Sequence, residues 1–172
     1  YKDDTLLNRQ PKKSRKIFVC LDEQRGQYLV DGLVAMDFPL SSGVKAYPTK
    51  TGDYAVISKK EDHASNLYGK MYDAEGKCIN YNAESTDPIP EGGRFDGSPM
   101  PYWQRLTNAG LGLHVGKVRR HPVSHGCVRL PRNVAEILYR QTSIGTPVTI
   151  QKTPLPVPEI QKVPAGQQHK GV

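Results

Sequence analysis

The sequence predicts a mainly β domain that carries one α-helix. Within residues 17–58, short apolar runs alternate with turns rich in Gly, Ser and Asp, a pattern typical of short strands. Residues 133–144 have the apolar spacing of an amphipathic helix. A length of 172 residues suits one domain. The sequence has no run of roughly 18 apolar residues that could span a membrane.

The expected strands of the N-terminal half follow one another with short connections. Asp31-Gly32 marks a hairpin, because both central positions of a type I′ turn need a positive φ. Alternating residues after the turn at 49–52 indicate a further strand. The strands predicted in this half cover residues 17–21, 27–30, 33–36, 38–40 and 53–58.

The C-terminal half is expected to place its helix between strands. Asn133 resembles an N-cap, and Glu136 three residues later would complete a capping box. Gly145 would end the helix as the residue after its C-cap. The strands predicted in this half cover residues 111–115, 128–130 and 147–151.

The chain divides into a folded domain with a segment at either end. Residues 1–15 are expected to be a basic linker or arm, residues 16–151 the domain, and residues 152–172 a Pro-rich tail. Within the domain, residues 59–98 are polar and contain five glycines. So long an irregular stretch indicates either a functional excursion or disorder.

The net charge of +7 is concentrated at the two ends of the chain, so the body is nearly neutral. This distribution argues against a nucleic-acid-binding surface. One cluster within residues 117–132 is nevertheless basic and contains no acid. It would favour an acidic substrate and the thiolate form of a nearby cysteine, unless its members are ordinary surface cations. They are Lys117, Arg119, Arg120, Arg129 and Arg132.

Residues 114–131 hold three of the five histidines and one of the three cysteines. Three cysteines cannot all pair within the chain, and a free Cys127 is consistent with reactivity. A thiol among imidazoles indicates either a nucleophile with its base or a metal site. The metal alternative lacks the spacing that is usual for zinc. Its ligands would be His114, His121, His125 and Cys127.

For the nucleophile alternative, the base is expected to be His114, which arrives on a different strand from Cys127. His125 lies only two residues before the cysteine and cannot easily fold back onto it. His121 is expected to be an exposed bystander. Gly126 lets the backbone bend and a substrate approach closely, and the Cys127 amide could donate to an oxyanion.

The only tryptophan, Trp103, directly follows Tyr102. An aromatic pair of this kind is either part of the core or the wall of a substrate cleft, and the sequence leaves both alternatives open.

One motif resembles the signature of the L,D-transpeptidase catalytic domain, the YkuD family. The motif reads Ser124-His125-Gly126-Cys127-Val128-Arg129-Leu130, with His114-Val115-Gly116 upstream. The resemblance covers roughly residues 16–151. It implies a mixed β-sandwich or barrel with a short helix after the nucleophile strand.

The resemblance also implies a role for each matching residue. Cys127 would be the nucleophile and His114 the base, with the carbonyl of Val115 orienting the imidazole. His125 and Gly126 would lie at the oxyanion and substrate side. Substrate contacts are expected from Ser124, Arg129, Val115 and Tyr102, with Tyr102 as a lid over the cleft.

The implied chemistry is acyl transfer on peptidoglycan tetrapeptide stems, without a cofactor or a metal. Cys127 would attack the L,D-amide after the third residue, release D-alanine, and pass the acyl group to a second stem in a 3→3 cross-link. Water as acceptor would make an L,D-carboxypeptidase, and a protein amine would anchor or release a wall protein. An alternative of another class is a non-catalytic peptidoglycan-binding module. An exported, periplasmic or wall-associated protein is expected.

Two features depart from the family pattern. The turn that commonly reads T-P-x-G has Lys50 in place of the proline. The interval between His114 and Ser124 is short, which predicts a small loop beside the site.

Overall fold

The computed structural model describes residues 1–158, and within them the chain forms a mainly β fold. Twelve strands in this part build three separate sheets, together with two helices. The sheets are open, so the sandwich alternative of the predicted fold applies and the closed barrel does not. No helix in residues 1–158 is long and apolar enough to cross a membrane.

The first sheet combines the N-terminal hairpins with the last strand. Its order is β3 (Leu33–Pro39), β2 (Arg25–Val30), β1 (Arg15–Cys20), β12 (Pro147–Gln151) and β4 (Gly52–Ala55). Only β1 and β12 pair in parallel. Asp31 and Gly32 have φ values of 51° and 79°, which confirms the predicted turn. The strand expected over residues 38–40 is the end of β3.

The second sheet carries the Cys/His motif. Its order is β11 (Val128–Leu130), β10 (Gly112–Val115), β9 (Trp103–Arg105) and β5 (Ser58–Lys60), with β10 and β11 parallel. The single strand expected over residues 53–58 is divided between β4 of the first sheet and β5 of this one. The chain therefore crosses from one sheet to the other at 56–57.

The third sheet occupies the region expected to be irregular. Strands β6 (Ala64–Tyr72), β7 (Cys78–Glu84) and β8 (Arg94–Pro99) pair antiparallel in the order β7-β6-β8. The expectation of an irregular or disordered stretch was wrong. Bulges interrupt the register, and five of the seven side chains of β7 are exposed, so the alternating pattern is weak.

Helix α2 (Arg132–Gln141) directly follows β11 and buries Val134, Ala135 and Leu138. It begins after Pro131, without a side-chain cap, so the predicted Asn133 cap is wrong. It also ends four residues before Gly145, because Thr142 is extended and its hydroxyl donates to Gln104 Oε1 at 2.5 Å. Lys59 binds the carbonyl of Thr142 at 2.8 Å, which satisfies part of this C-terminus.

The first and the last segments that the structure describes both contact the first sheet. A short helix α1 (Asp4–Leu7) buries Leu6 and Leu7 in the core, so the basic arm packs against the domain. At the other end, Leu155 is buried, and the Pro156 carbonyl accepts a hydrogen bond from Arg25 Nη2 at 2.7 Å. The rest of the predicted Pro-rich tail, residues 159–172, lies outside the described residues.

Candidate active site

A cavity of about 800 Å³ lies between the second and third sheets, and both Cys127 and His114 line it. Residues 65–68 and 98–100 of the third sheet region form one wall. Lys50, which precedes β4, also contributes. The region expected to be irregular therefore supplies one wall of the site.

Strand register brings the polar side chains to one face of the second sheet. His114 pairs with Arg129, and Gly112 pairs with Arg105. Since side chains alternate between faces, these positions and Cys127 face the cavity. The opposite face packs into the core through Leu113, Val128 and Leu130.

Gly112 lets the Trp103 ring pack directly onto strand β10. A Cβ at this position would lie 2.5 Å from Trp103 Cη2, so no side chain fits there. Trp103 is 3% exposed, and its ring centroid lies 6.1 Å from that of His114. The two alternatives for Trp103 are both true, because the ring is buried and also lines the cavity.

The thiol of Cys127 is protonated in the resting site. Burial raises its pKa, while the Gly112 backbone and the charges of Arg105 and Arg129 act in the opposite direction. Sγ donates to Gly110 O at 3.2 Å. Of the five cations in the basic cluster, only Arg129 lines the cavity, and its charge favours the thiolate as expected but is outweighed by burial.

His114 is a neutral hydrogen-bond acceptor. Its Nδ1 lies 2.6 Å from Val115 O, the contact that the family resemblance implies. A carbonyl can only accept, so Nδ1 carries the proton and Nε2 is the free acceptor. Burial lowers the pKa of His114 to about 4, with Arg129 and His63 acting in the same direction and the Val115 carbonyl opposing them. The resting site thus holds a thiol and a neutral imidazole.

The turn before the cysteine is held by hydroxyl groups. Gly126 has a φ of 127°, which favours glycine. Ser124 Oγ accepts from Gly126 N at 3.1 Å and donates to Cys127 O at 2.5 Å. Because these contacts use the Ser124 hydroxyl within the turn, its position favours a scaffold role over the predicted substrate contact.

Thr49 supports the same turn from a neighbouring loop. Its buried hydroxyl accepts from Gly43 N at 2.8 Å and donates to Gly126 O at 2.6 Å. The sequence singled out this residue only as part of a scaffold turn. Its link to Gly126 depends on a contact across 77 positions of the chain.

Replacing Thr49 with valine should destabilise the protein by about 1–3 kcal/mol, because two buried backbone groups lose their partner. Urea unfolding of Thr49→Val and Thr49→Ser would measure this loss. The serine variant keeps the hydroxyl and is expected to lose less. Equal losses in both variants would mean that the methyl group contributes as much as the hydroxyl, which would contradict the expected dominance of the hydrogen bonds.

His125 lies at the rim of the cavity. Its ring stacks on Tyr68 at a centroid distance of 4.4 Å and meets Tyr47 edge-on at 4.9 Å. It therefore joins the third sheet to the loop before β4. The side chain is exposed, which suits the predicted substrate side of the cleft more than proton transfer at a buried thiol.

The remaining predicted residues lie in different surroundings. Arg129 is partly buried and lines the cavity. Tyr102 does not line it, because its ring packs edge-on against Tyr139 at 5.5 Å, a position that gives no support to a lid. His121 is exposed, as expected. No metal-binding group of His, Cys, Asp or Glu occurs among residues 1–158.

Several cavity residues were not predicted from the sequence, among them His63, Tyr68 and Arg105. His63 stacks on Trp103 at a centroid distance of 4.9 Å. Each is isolated in the sequence, and strand pairing brings it to the cavity, so no local motif could identify it.

The buried His114 should make the free energy of unfolding depend on pH. Its pKa falls from 6.5 to about 4 on folding, so the unfolded chain binds a proton that the folded chain excludes. Stability is therefore lost as pH falls from 6.5 to 4, by about 3 kcal/mol from this group. Urea unfolding at pH 7 and pH 4 should show a smaller loss in His114→Gln. An equal loss in both proteins would contradict the burial of a neutral imidazole.

The family profile described as the L,D-transpeptidase catalytic domain, YkuD, matches residues 14–150. Among curated proteins, the probable L,D-transpeptidase 3 of Mycobacterium tuberculosis is 31% identical over 121 residues, which are 66% of this chain and 38% of that protein.

Solved structures show the same fold. An L,D-transpeptidase from Mycobacterium smegmatis has a TM-score of 0.61 at 22% identity, covering 80% of this chain and 58% of that chain. A cysteine-to-serine mutant of the Enterococcus faecium L,D-transpeptidase has a TM-score of 0.58 at 27% identity, covering 81% of this chain and 50% of that chain. The chain thus spans 38% to 58% of the length of these relatives. Since the profile match covers most of its residues, the protein belongs to the L,D-transpeptidase catalytic-domain (YkuD) family.

Proposed function

We propose that the protein is a cysteine-dependent L,D-transpeptidase that acts on peptidoglycan tetrapeptide stems. The observation that carries this proposal is that Cys127 and a neutral, oriented His114 open onto one cavity. A thiol needs a base that can take its proton at neutral pH, and a histidine with a pKa of about 4 is unprotonated there.

In the first half-reaction, Nε2 of His114 takes the thiol proton while Sγ attacks the carbonyl carbon of the third stem residue. The Cys127 N–H donates to the oxyanion that forms. The intermediate then collapses, the carbon–nitrogen bond breaks, and the imidazolium gives its proton to the departing amine of D-alanine. The product is a thioester on Cys127.

In the second half-reaction, an amine of another stem attacks the thioester carbonyl. His114 takes the proton of that amine and returns one to the sulfur, which leaves as a thiol. The new amide is a 3→3 cross-link, and the enzyme is restored. No external oxidant, reductant or cofactor enters this sequence.

The cavity wall supports a carboxylate-rich substrate. Its charged members are Lys50, Arg105 and Arg129, and no Asp or Glu among the described residues lines it. Stem peptides carry several free carboxylates, and a cationic cleft raises their local concentration. A substrate of this kind places the protein at the cell wall, and hence in an exported location.

A disaccharide-tetrapeptide tests the proposal when products and intact protein are followed by mass spectrometry. A dimeric muropeptide that has lost one D-alanine, with a transient adduct mapped to Cys127, is expected. Tripeptide alone would favour the L,D-carboxypeptidase, and transfer only to a protein amine would favour wall-protein anchoring. Neither product nor adduct would contradict the proposal.

A further inference from the structure

Arg105 lies on β9 and faces the cavity. Cys127 directly precedes β11, which is on the other side of the central strand β10. Arg105 pairs with Gly112, and the parallel register of β10 and β11 places Cys127 beside Gly112 on the opposite side. Strand spacing is about 4.8 Å, so two such steps separate Arg105 from the cysteine. Gly112 has no side chain, so the edge of the Trp103 ring packs over it, and both Arg105 and Cys127 line the cavity around that ring.

The guanidinium of Arg105 has no carboxylate partner among residues 1–158. Its Cζ lies 5.3 Å from the Trp103 ring centroid, and Nη1 donates to Thr107 O at 3.4 Å. Arg25 is also partly buried but binds both Asp37 and Glu23. Partly buried guanidinium groups usually pair with anions, so Arg105 has donors left for a ligand.

The position of Arg105 sets the distance at which such an anion would bind. Its charge is near enough to act on the Cys127 thiol, and both side chains rise from the same sheet face. Since two strand spacings of about 4.8 Å separate their backbones, an anion on the guanidinium would lie within about 10 Å of the carbon that the sulfur attacks. A tetrapeptide stem has two free carboxylates within that range, at the D-alanine terminus and on the side chain of the diamino acid.

We propose that Arg105 is a specificity-determining residue that binds a free carboxylate of the donor stem beside the scissile amide. The identity of the stem rests on the function proposed above. Arg129 approaches the thiol from the other side of β10, so the two guanidinium groups flank the attacked carbonyl. A donor without that carboxylate would leave Arg105 desolvated and unpaired, which disfavours its binding.

Alkylation of Cys127 tests the anion site without any peptidoglycan. Iodoacetate and iodoacetamide both form a thioether and release iodide, but only iodoacetate is anionic. Because the same thiolate displaces iodide from both reagents, a change in the pKa of the thiol alters both rates equally and cancels in their ratio. Arg105→Gln should lower the iodoacetate-to-iodoacetamide ratio by about three- to tenfold.

Two further variants separate charge from structure in this experiment. Arg105→Lys keeps the positive charge and should retain most of the ratio. Arg119→Gln makes the same charge change at an exposed residue outside the cavity and should leave the ratio close to the parent value. An equal ratio in Arg105→Gln and Arg119→Gln would overturn the proposal.

Three synthetic tetrapeptides then identify the carboxylate: the free acid, the C-terminal amide, and the analogue amidated on the diamino acid side chain. In the parent, removing the recognised carboxylate should lower kcat/KM about tenfold or more, and Arg105→Gln should remove this preference. A preference for either carboxylate supports the proposal and names its source. If Arg105→Gln lowers kcat/KM equally for all three peptides, the role of Arg105 is structural and the proposal fails. If the parent uses no stem but the alkylation ratio still falls, the anion site stands and the proposed substrate is wrong.

Discussion

Replacing Cys127 with alanine should reduce turnover of the tetrapeptide stem to background, by roughly 10⁴-fold or more. Without the sulfur no thioester can form, and no other thiol lines the cavity within the described residues. The side chain faces open space on one side, so the smaller residue should fold normally. Product formation and intact mass after mixing with the stem measure the result.

Cys78→Ala is the matched control, because this thiol is also partly buried but lies on β7 outside the cavity. It should retain full turnover. Activity that survives in Cys127→Ala would contradict a cysteine nucleophile. If the parent itself shows no turnover and Cys127→Ala binds peptidoglycan unchanged, the non-catalytic binding module becomes the better description.

The local motif made the position of the reactive centre predictable. Short-range patterns predicted the strands β10 and β11, the bend at Gly126 and the position of Cys127. Hydrophobic alternation and a positive φ are encoded within a few residues. The contact between His114 and the Val115 carbonyl, which only the family resemblance implied, is also local. These features could be predicted from the sequence for that reason.

Features that depend on pairing across the chain could not be predicted in this way. The third sheet is mostly exposed and interrupted by bulges, so its strands lack the apolar alternation that marks a strand. Arg105 faces the thiol only because β9 pairs with β10 in one register. Burial, which sequence alone does not give, also outweighed the charges of Arg105 and Arg129 and raised the pKa of Cys127.

Replacing His114 with glutamine should lower turnover at pH 7 by about 10²–10⁴-fold, the usual contribution of a general base. Glutamine has a similar size but cannot take the proton of the thiol. The variant can then attack only through the small fraction of Cys127 that is already ionised. Because burial raises the pKa of this thiol, that fraction is low at neutral pH.

The pH profile distinguishes this role from a merely structural one. In the parent, His114 is neutral above its pKa of about 4, so kcat/KM should be nearly flat between pH 6 and 8. In His114→Gln, the rate should rise about tenfold per pH unit over that range, since each unit increases the thiolate tenfold. His121→Gln, at an exposed histidine outside the cavity, should keep the parent profile. A flat profile in His114→Gln would show that another group takes the proton, and a loss in His121→Gln as large as in His114→Gln would overturn the choice of base.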